Sequence, residues 1–300
     1  MITDRHSTVV LDGLGFPEGI RYHAGKVWFS DIFDYTVNVW DPQTHTKTVL
    51  AELDDKPSGL GFLPDGTLLI ATIDRLQLLR LDADGPRLVA DLRDVCGAGF
   101  HLNDMVVDGR GRAYIGGVDD ARRASTIVLV DPDGTIRRTG EGLASPNGMA
   151  ISGDGKTFVT AENATRIGGP NGIVAFDIAS DGSLSGRRIF AEVEVSPDGL
   201  CLDADGAVWV GLPFKSEFRR IAPGGIVTDH VVYDAGRVAV APVIGGADRR
   251  TLFLCTARKL PLEEHHRIMG HPARLPEARE LSKGAIEMLA GLPVPGDGWP

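Results

Sequence analysis

The stretch that decides the fold is SPDGLCLDADGAVWVGL, residues 196–212, in which two Asp-Gly turn signals enclose a short apolar strand. The same order of polar turn, apolar strand, glycine turn and second apolar strand recurs in FPEGIRYHAGKVWFSDI (16–32), KPSGLGFLPDGTLLIAT (56–72), HLNDMVVDGRGRAYIGG (101–117) and SPNGMAISGDGKTFVTA (145–161). A sixth segment, VAVAPVIGGADRRTLFLCTA (238–257), keeps the glycine turn and the second strand but lacks the polar start. The chain therefore contains six copies of one unit.

The spacing of the copies predicts the architecture. Residues at the same place in successive copies are 40, 45, 44, 51 and 43 positions apart. A period of about 40 to 50 residues with about four short strands per copy is typical of a β-propeller blade. Two strand-like segments remain, STVVLDG (7–13) and KGAIEML (283–289), and we expect them to share a blade and close the ring. The sequence predicts an all-β fold in which residues 1–300 form a single six-bladed β-propeller domain.

Residues 258–282 interrupt this pattern. We expect an irregular insertion in the last blade, and a short helix or lid is the alternative. The histidine-rich run EEHHRIMGH (263–271) does not match the His-Glu-x-x-His spacing of a zinc site, so a solvated loop is the expectation there.

Composition and charge exclude several classes of partner. A formal net charge of −10 leaves no basic stripe for nucleic acid or an anionic membrane surface, and no apolar run reaches the ~18 residues of a membrane span. The start, MITDRHSTVVLDG, does not have the pattern of a secretory signal, and the three cysteines form no Cys-x-x-Cys pair. We expect a cytoplasmic protein with reduced thiols, monomeric or a small homo-oligomer, that acts on a small molecule.

The residue that starts the inner strand of each blade is a candidate for a site, because equivalent positions in a propeller converge on one mouth of the central channel. These six residues, here called the ring residues, are Glu18, Ser58, Asn103, Asn147, Asp198 and, approximately, Ala241. Two carboxylates gathered without a positive charge favour a cation, and oxygen ligands suit Ca²⁺ or Mg²⁺, with Mn²⁺ and Zn²⁺ also possible.

Turn chemistry is the alternative explanation of these residues. Pro-Asp-Gly and Pro-Asn-Gly form turns without any function, so Asp198 or Asn147 alone would be assigned to local backbone bonding. Glu18, however, is not a favoured turn residue, and its presence in the same position favours selection for an oxygen ligand.

Taken together, the motifs PEG (17–19), ND (103–104), SPNG (145–148), SPDG (196–199) and GGADRRTLFLCTA (245–257) resemble the senescence marker protein (regucalcin)/gluconolactonase/luciferin-regenerating enzyme family. The resemblance implies a lactone-opening enzyme with one divalent cation at the channel mouth. It implies that Glu18, Asn147 and Asp198 ligate this metal, that Asn103 contacts substrate, and that Asp198 is the general base.

One position departs from the family pattern. Sugar lactonases often carry arginine two residues before the asparagine, whereas this chain has His101, which we expect to contact substrate or to be a packed loop residue. Sugar acid lactones are therefore in doubt as substrates. No Gly-x-Ser-x-Gly motif occurs, which argues against an acyl-enzyme route. A non-catalytic cation-binding or interaction propeller remains an alternative, as does a metal-assisted ester, organophosphate, lyase or isomerase reaction on the same site.

Overall fold

The computed structural model describes residues 2–119, 125–164, 168–271 and 273–298 and arranges their strands in six sheets. Two strands precede the first complete blade: β1 (Thr3–Arg5) and β2 (Thr8–Leu14). The first blade holds β3 (Pro17–His23), β4 (Lys26–Asp31), β5 (Thr36–Asp41) and β6 (Thr46–Glu52). The second holds β7 (Pro57–Phe62), β8 (Leu68–Thr72), β9 (Gln77–Asp82) and β10 (Gly85–Asp91). A short helix, α1 (Arg93–Cys96), follows it.

The next three blades repeat this order. The third holds β11 (Phe100–Val107), β12 (Ala113–Asp119), β13 (Ser125–Val130) and β14 (Ile136–Leu143). The fourth holds β15 (Pro146–Ile151), β16 (Thr157–Glu162), β17 (Gly172–Ile178) and β18 (Leu184–Glu192). The fifth holds β19 (Leu200–Leu202), β20 (Val208–Leu212), β21 (Glu217–Ala222) and β22 (Ile226–Val232), with a 3₁₀ turn at Pro213–Lys215.

The sixth blade closes the ring as the sequence predicts. It pairs β23 (Arg237–Gly245), β24 (Thr251–Arg258) and β25 (Gly284–Leu289) with β2 from the start of the chain. One pairing was not predicted: β1 adds to the outer edge of the fifth blade, parallel to β22. The six-bladed β-propeller is confirmed, and both chain ends contribute to its closure.

The expectation of an irregular insertion at 258–282 is wrong in part, because the segment forms two helices, α2 (Leu262–Met269) and α3 (Pro276–Ser282). Acidic Glu263 and Glu264 in the first turn of α2, and Arg267 in its last, complement the helix dipole. Proline at the start of α3 supplies a pre-set φ angle. None of the described helices is long and apolar enough to span a membrane.

The core lies between neighbouring blades and around the axis. All six residues of β7 are buried, and apolar clusters fill the spaces between the second and third, fourth and fifth, and sixth and first blades. Inner strands approach one another so closely that a Cβ at Gly59 would lie 2.4 Å from the backbone nitrogen of Met105, and one at Gly148 would lie 2.4 Å from that of Leu200. The glycine that follows a ring residue is therefore required by the packing of the next blade.

Candidate functional site

The ring residues lie at one end of the inner strands, where irregular strand pairing changes the direction of their side chains. The register between the first two strands shifts next to the ring residue in five blades. In the fifth blade, Asp198 precedes β19, and its backbone N–H donates to the Gly211 carbonyl at 2.9 Å. A bulge of this kind re-aims a side chain without breaking the sheet.

Two of the three metal ligands that the resemblance implies are in direct contact. Asn147 Nδ2 donates to Asp198 Oδ1 at 2.7 Å, although the two residues are 51 positions apart. Glu18 is buried, and its carboxyl accepts a hydrogen bond from the Gly19 N–H at 2.7 Å. Burial raises the pKa of Glu18 well above its ordinary value, and the negative charges of Asp104 and Asp198 raise it further.

Asp104 also belongs to this acidic cluster, although it is not one of the ring residues predicted from the sequence. Burial raises the pKa of Asp104. The pKa of Asp198 is raised by burial and then by the charge of Asp104, while its hydrogen bond with Asn147 acts in the opposite direction. A signal was present in the repeat: Asp104 stands where Gly19, Gly59, Gly148 and Gly199 stand in the other copies. A charged residue in place of a packing glycine indicates a side chain that is needed at the axis.

Arg21 lies beside the same cluster, and the charges do not balance. Its guanidinium is buried, donates to the Ile20 carbonyl at 2.7 Å and to the Met105 carbonyl, and interacts with Asp104 and Glu18. Three carboxylates against one guanidinium leave two negative charges uncompensated when all three acids are ionised. A single divalent cation would supply the missing charge.

Buried oxygen atoms without partners agree with this charge count. Within the described ranges, Asn147 Oδ1 and Asp104 Oδ1 are buried and have no hydrogen-bond partner. Buried polar atoms are rarely left unsatisfied, and such atoms among carboxylates fit a bound cation. The described residues contain no cluster of three His, Cys, Asp or Glu side chains that could by itself hold a metal. The set of Glu18, Asn147 and Asp198 differs from such a cluster because one of its ligands is an amide.

The other two predicted site residues lie in the third blade. Asn103 Oδ1 accepts a hydrogen bond from Ser58 Oγ at 3.3 Å, so two neighbouring ring residues are in contact. His101 Nδ1 lies 3.0 Å from Asp74 Oδ1, and Asp74 also pairs with the buried ammonium of Lys56. The His101 side chain is 37% exposed, so one face of the ring is open to solvent. His101 is thus held by a neighbouring blade and is not packed in the core.

The histidine-rich run does not form a wholly solvated loop. His265 of α2 packs its ring 5.7 Å from that of Phe16 and 6.2 Å from that of Phe33. Burial, and then the neighbouring His266, lower the pKa of His265, which favours a neutral, packed ring. All three cysteines are free, and Cys255 is buried beneath the cluster, where burial raises its pKa.

A comparison with known families decides the relationship that the motifs indicate. The profile described as SMP-30/Gluconolactonase/LRE-like region matches residues 16–258, which is most of the propeller. The chain belongs to this family. The matched range includes every candidate site residue and ends where the helical insertion of the last blade begins.

Lactonases and regucalcins are among the proteins to which the chain is similar. A pentonolactonase from Haloferax volcanii is 26% identical over 255 residues, covering 80% of this chain and 81% of the relative. Human regucalcin is 25% identical over 226 residues, covering 69% of this chain and 73% of that protein. The crystal structure of a calcium-binding protein, regucalcin, from Agrobacterium tumefaciens superposes with a TM-score of 0.78 at 20% identity, covering 100% and 98% of the two chains. A gluconolactonase from Xanthomonas campestris superposes with a TM-score of 0.71 at 22% identity, covering 96% and 89%.

Proposed function

We propose that the protein is a divalent-metal-dependent lactonase that opens a lactone ring to a hydroxy acid. The observation that carries the proposal is the acidic cluster. Glu18 and Asp104 are buried beside the guanidinium of Arg21, and the half-buried Asp198 interacts with Asp104. The amide oxygen of Asn147 has no hydrogen-bond partner among the described residues. Membership of a family with lactonase relatives supports the choice of reaction.

Glu18, Asn147 and Asp198 would hold the cation with three oxygen atoms. This donor set favours Ca²⁺, Mg²⁺ or Mn²⁺ over Zn²⁺, which accepts nitrogen and sulfur more readily. When bound, the cation would polarise the lactone carbonyl and stabilise the negative charge that develops on its oxygen. Three protein ligands leave positions free for water and substrate, unlike a closed structural site.

Asp198 would act as the general base. Its carboxylate takes a proton from a water molecule, whose oxygen forms a bond to the carbonyl carbon. The bond between that carbon and the ring oxygen then breaks, the ring oxygen takes the proton back from Asp198, and the product is a hydroxy acid. Asn147 Nδ2 fixes the orientation of the Asp198 carboxylate through its 2.7 Å hydrogen bond. Asn103 and His101 would bind the substrate on the solvent-exposed side of the ring residues.

The test is a metal-reconstitution assay. The purified protein is treated with chelator, reloaded separately with Ca²⁺, Mg²⁺, Mn²⁺ or Zn²⁺, and mixed with sugar, aliphatic and aromatic lactones while acid release is followed. We expect turnover that disappears with chelator and returns with one or more ions. Stoichiometric ion binding without turnover of any lactone would refute the lactonase and favour the non-catalytic cation-binding propeller.

A further inference from the structure

A cavity of about 460 Å³ adjoins the candidate site, because Asn147 and Asp198 are among the residues that line it. Its walls come from the turn after β20 and from the insertion that follows β24. The volume lies in the range of ~300–1,000 Å³ that is typical of small-molecule sites. A ligand that reached the cluster would therefore be enclosed by residues outside the ring.

The walls of this cavity are mainly apolar. Its lining includes four large apolar side chains, those of Phe16, Phe214, Leu260 and Leu262. Phe214 is 59% exposed and Leu262 58% exposed, although they lie on different segments of the fold. Single exposed apolar residues are ordinary on a protein surface, but two that converge on one cavity indicate contact with an apolar group.

The insertion that forms one wall is fixed to the propeller. Ile268 of α2 packs in an apolar cluster with Phe33. Asp34 pairs with two arginines of the insertion, Arg274 at 3.3 Å and Arg279 at 3.2 Å. The apolar wall is therefore preformed, and little conformational entropy is lost when a ligand binds against it.

One of the polar groups that line the cavity is a buried hydroxyl. Ser282, at the end of α3, is fully buried and lines the cavity, and its Oγ has no hydrogen-bond partner in the described part of the chain. A buried hydroxyl of this kind is satisfied when a ligand oxygen reaches it. Ser196, Arg258, Lys259 and His265 also line the cavity, but apolar atoms form most of its lining. A polyhydroxylated ring needs a partner for each of its hydroxyl groups, which such a lining supplies less readily than contact with an apolar substituent.

We propose that the site takes a lactone with an apolar alkyl or aryl substituent, which packs between Phe214 and Leu262, while Ser282 Oγ hydrogen-bonds an oxygen of the ligand. This inference rests on the proposed lactonase function and goes beyond it by naming the substrate class. An apolar substrate would also explain why this chain has His101 at the position where sugar lactonases often have arginine.

The experiment compares γ-nonalactone, which carries a five-carbon side chain, with unsubstituted γ-butyrolactone and with D-glucono-1,5-lactone. If the side chain gains half of the full burial contribution per carbon, kcat/KM for γ-nonalactone should exceed that for γ-butyrolactone by about 30-fold. Phe214→Ser and Leu262→Ser should each lower kcat/KM for γ-nonalactone by about tenfold and change the value for γ-butyrolactone by less than about twofold. Ile226→Ser is the matched control, because Ile226 is 63% exposed on the outer strand of the fifth blade and does not line the cavity.

Binding of the lactam with the same five-carbon side chain, measured by calorimetry, separates this inference from the lactonase proposal. The apolar substrate class alone would be overturned by two results together. The enzyme would open D-glucono-1,5-lactone at least as efficiently as γ-nonalactone, and the Phe214 and Leu262 variants would keep the wild-type kcat/KM for γ-nonalactone. Lactam binding that depends on Phe214 and Leu262, without turnover of any lactone, would overturn the lactonase and leave the apolar ligand class. Failure of both turnover and lactam binding would overturn both proposals.

Discussion

Replacing Asp198 by asparagine tests the central catalytic assignment. Asp198→Asn keeps the size of the side chain and an oxygen that can accept the hydrogen bond from Asn147 Nδ2, now 2.7 Å long. The backbone hydrogen bond from residue 198 to the Gly211 carbonyl, 2.9 Å, is unaffected. Only the negative charge and the proton acceptor are lost. We therefore expect turnover to fall by about 10²-fold or more, which is the scale for removal of a positioned general base.

The effect on stability should be small, because two contributions oppose each other. A hydrogen bond to a charged group contributes about 1.5–3 kcal/mol and one between neutral groups about 0.5–1.5 kcal/mol, so the Asn147 bond loses about 1 kcal/mol. Neutralising residue 198 also relieves its repulsion with Asp104 and Glu18, which is stabilising. The melting temperature should therefore change by less than about 4 °C.

Acid release, bound-metal content and thermal melting are measured on the same preparations. The control is Asp65→Asn, because Asp65 is an exposed turn residue whose carboxylate accepts a local hydrogen bond from the Thr67 N–H at 2.9 Å. Full turnover of Asp198→Asn with metal bound would show that Asp198 serves the turn alone. An equal loss of turnover in Asp65→Asn would refute the reasoning as well.

Three further predictions concern the ion and the packing around it. Chelation should leave the β circular dichroism signal intact and lower the melting temperature by about 5 °C or more. The reason is that an ion present at a free concentration of 100 times its Kd stabilises the fold by about 2.7 kcal/mol. Loss of the β signal at ambient temperature would instead show that the ion is structural. Asp104→Gly, which restores the residue found in other copies, should weaken divalent-ion binding about tenfold in calorimetry by removing one of three carboxylates, and an unchanged Kd would exclude Asp104 from the site. Gly148→Ala should destabilise the fold by about 1–3 kcal/mol, because its Cβ would lie 2.4 Å from the Leu200 nitrogen. Gly236→Ala, at an exposed glycine, serves as the control. Equal melting temperatures of the two variants would contradict this packing.

The repeat made most of the fold predictable from sequence. Turn signals and apolar strands are local features, and their period of 40 to 51 residues repeats in register along the chain. In a closed propeller, equivalent positions are brought to one end of the channel by symmetry. The alignment of copies therefore predicts that the six ring residues converge, and the family resemblance singles out Glu18, Asn147 and Asp198 among them. The structure brings Asn147 and Asp198 into direct contact.

The sequence determined the six-bladed architecture, the closure by both chain ends, and which ring position each blade supplies, because these depend on local periodicity. Only the tertiary structure decided the rest. Asp203 follows a turn pattern, yet it also forms a buried ion pair with Arg220 at 2.7 Å from the neighbouring hairpin strand. Three further features likewise depend on which distant residues are adjacent: the counter-charge of Arg21, the burial of Asp104 beside it, and the packing of α2 against the first blade. Burial and electrostatic interactions depend on distances in space. The sequence of one blade does not show which side chains of another blade lie next to it.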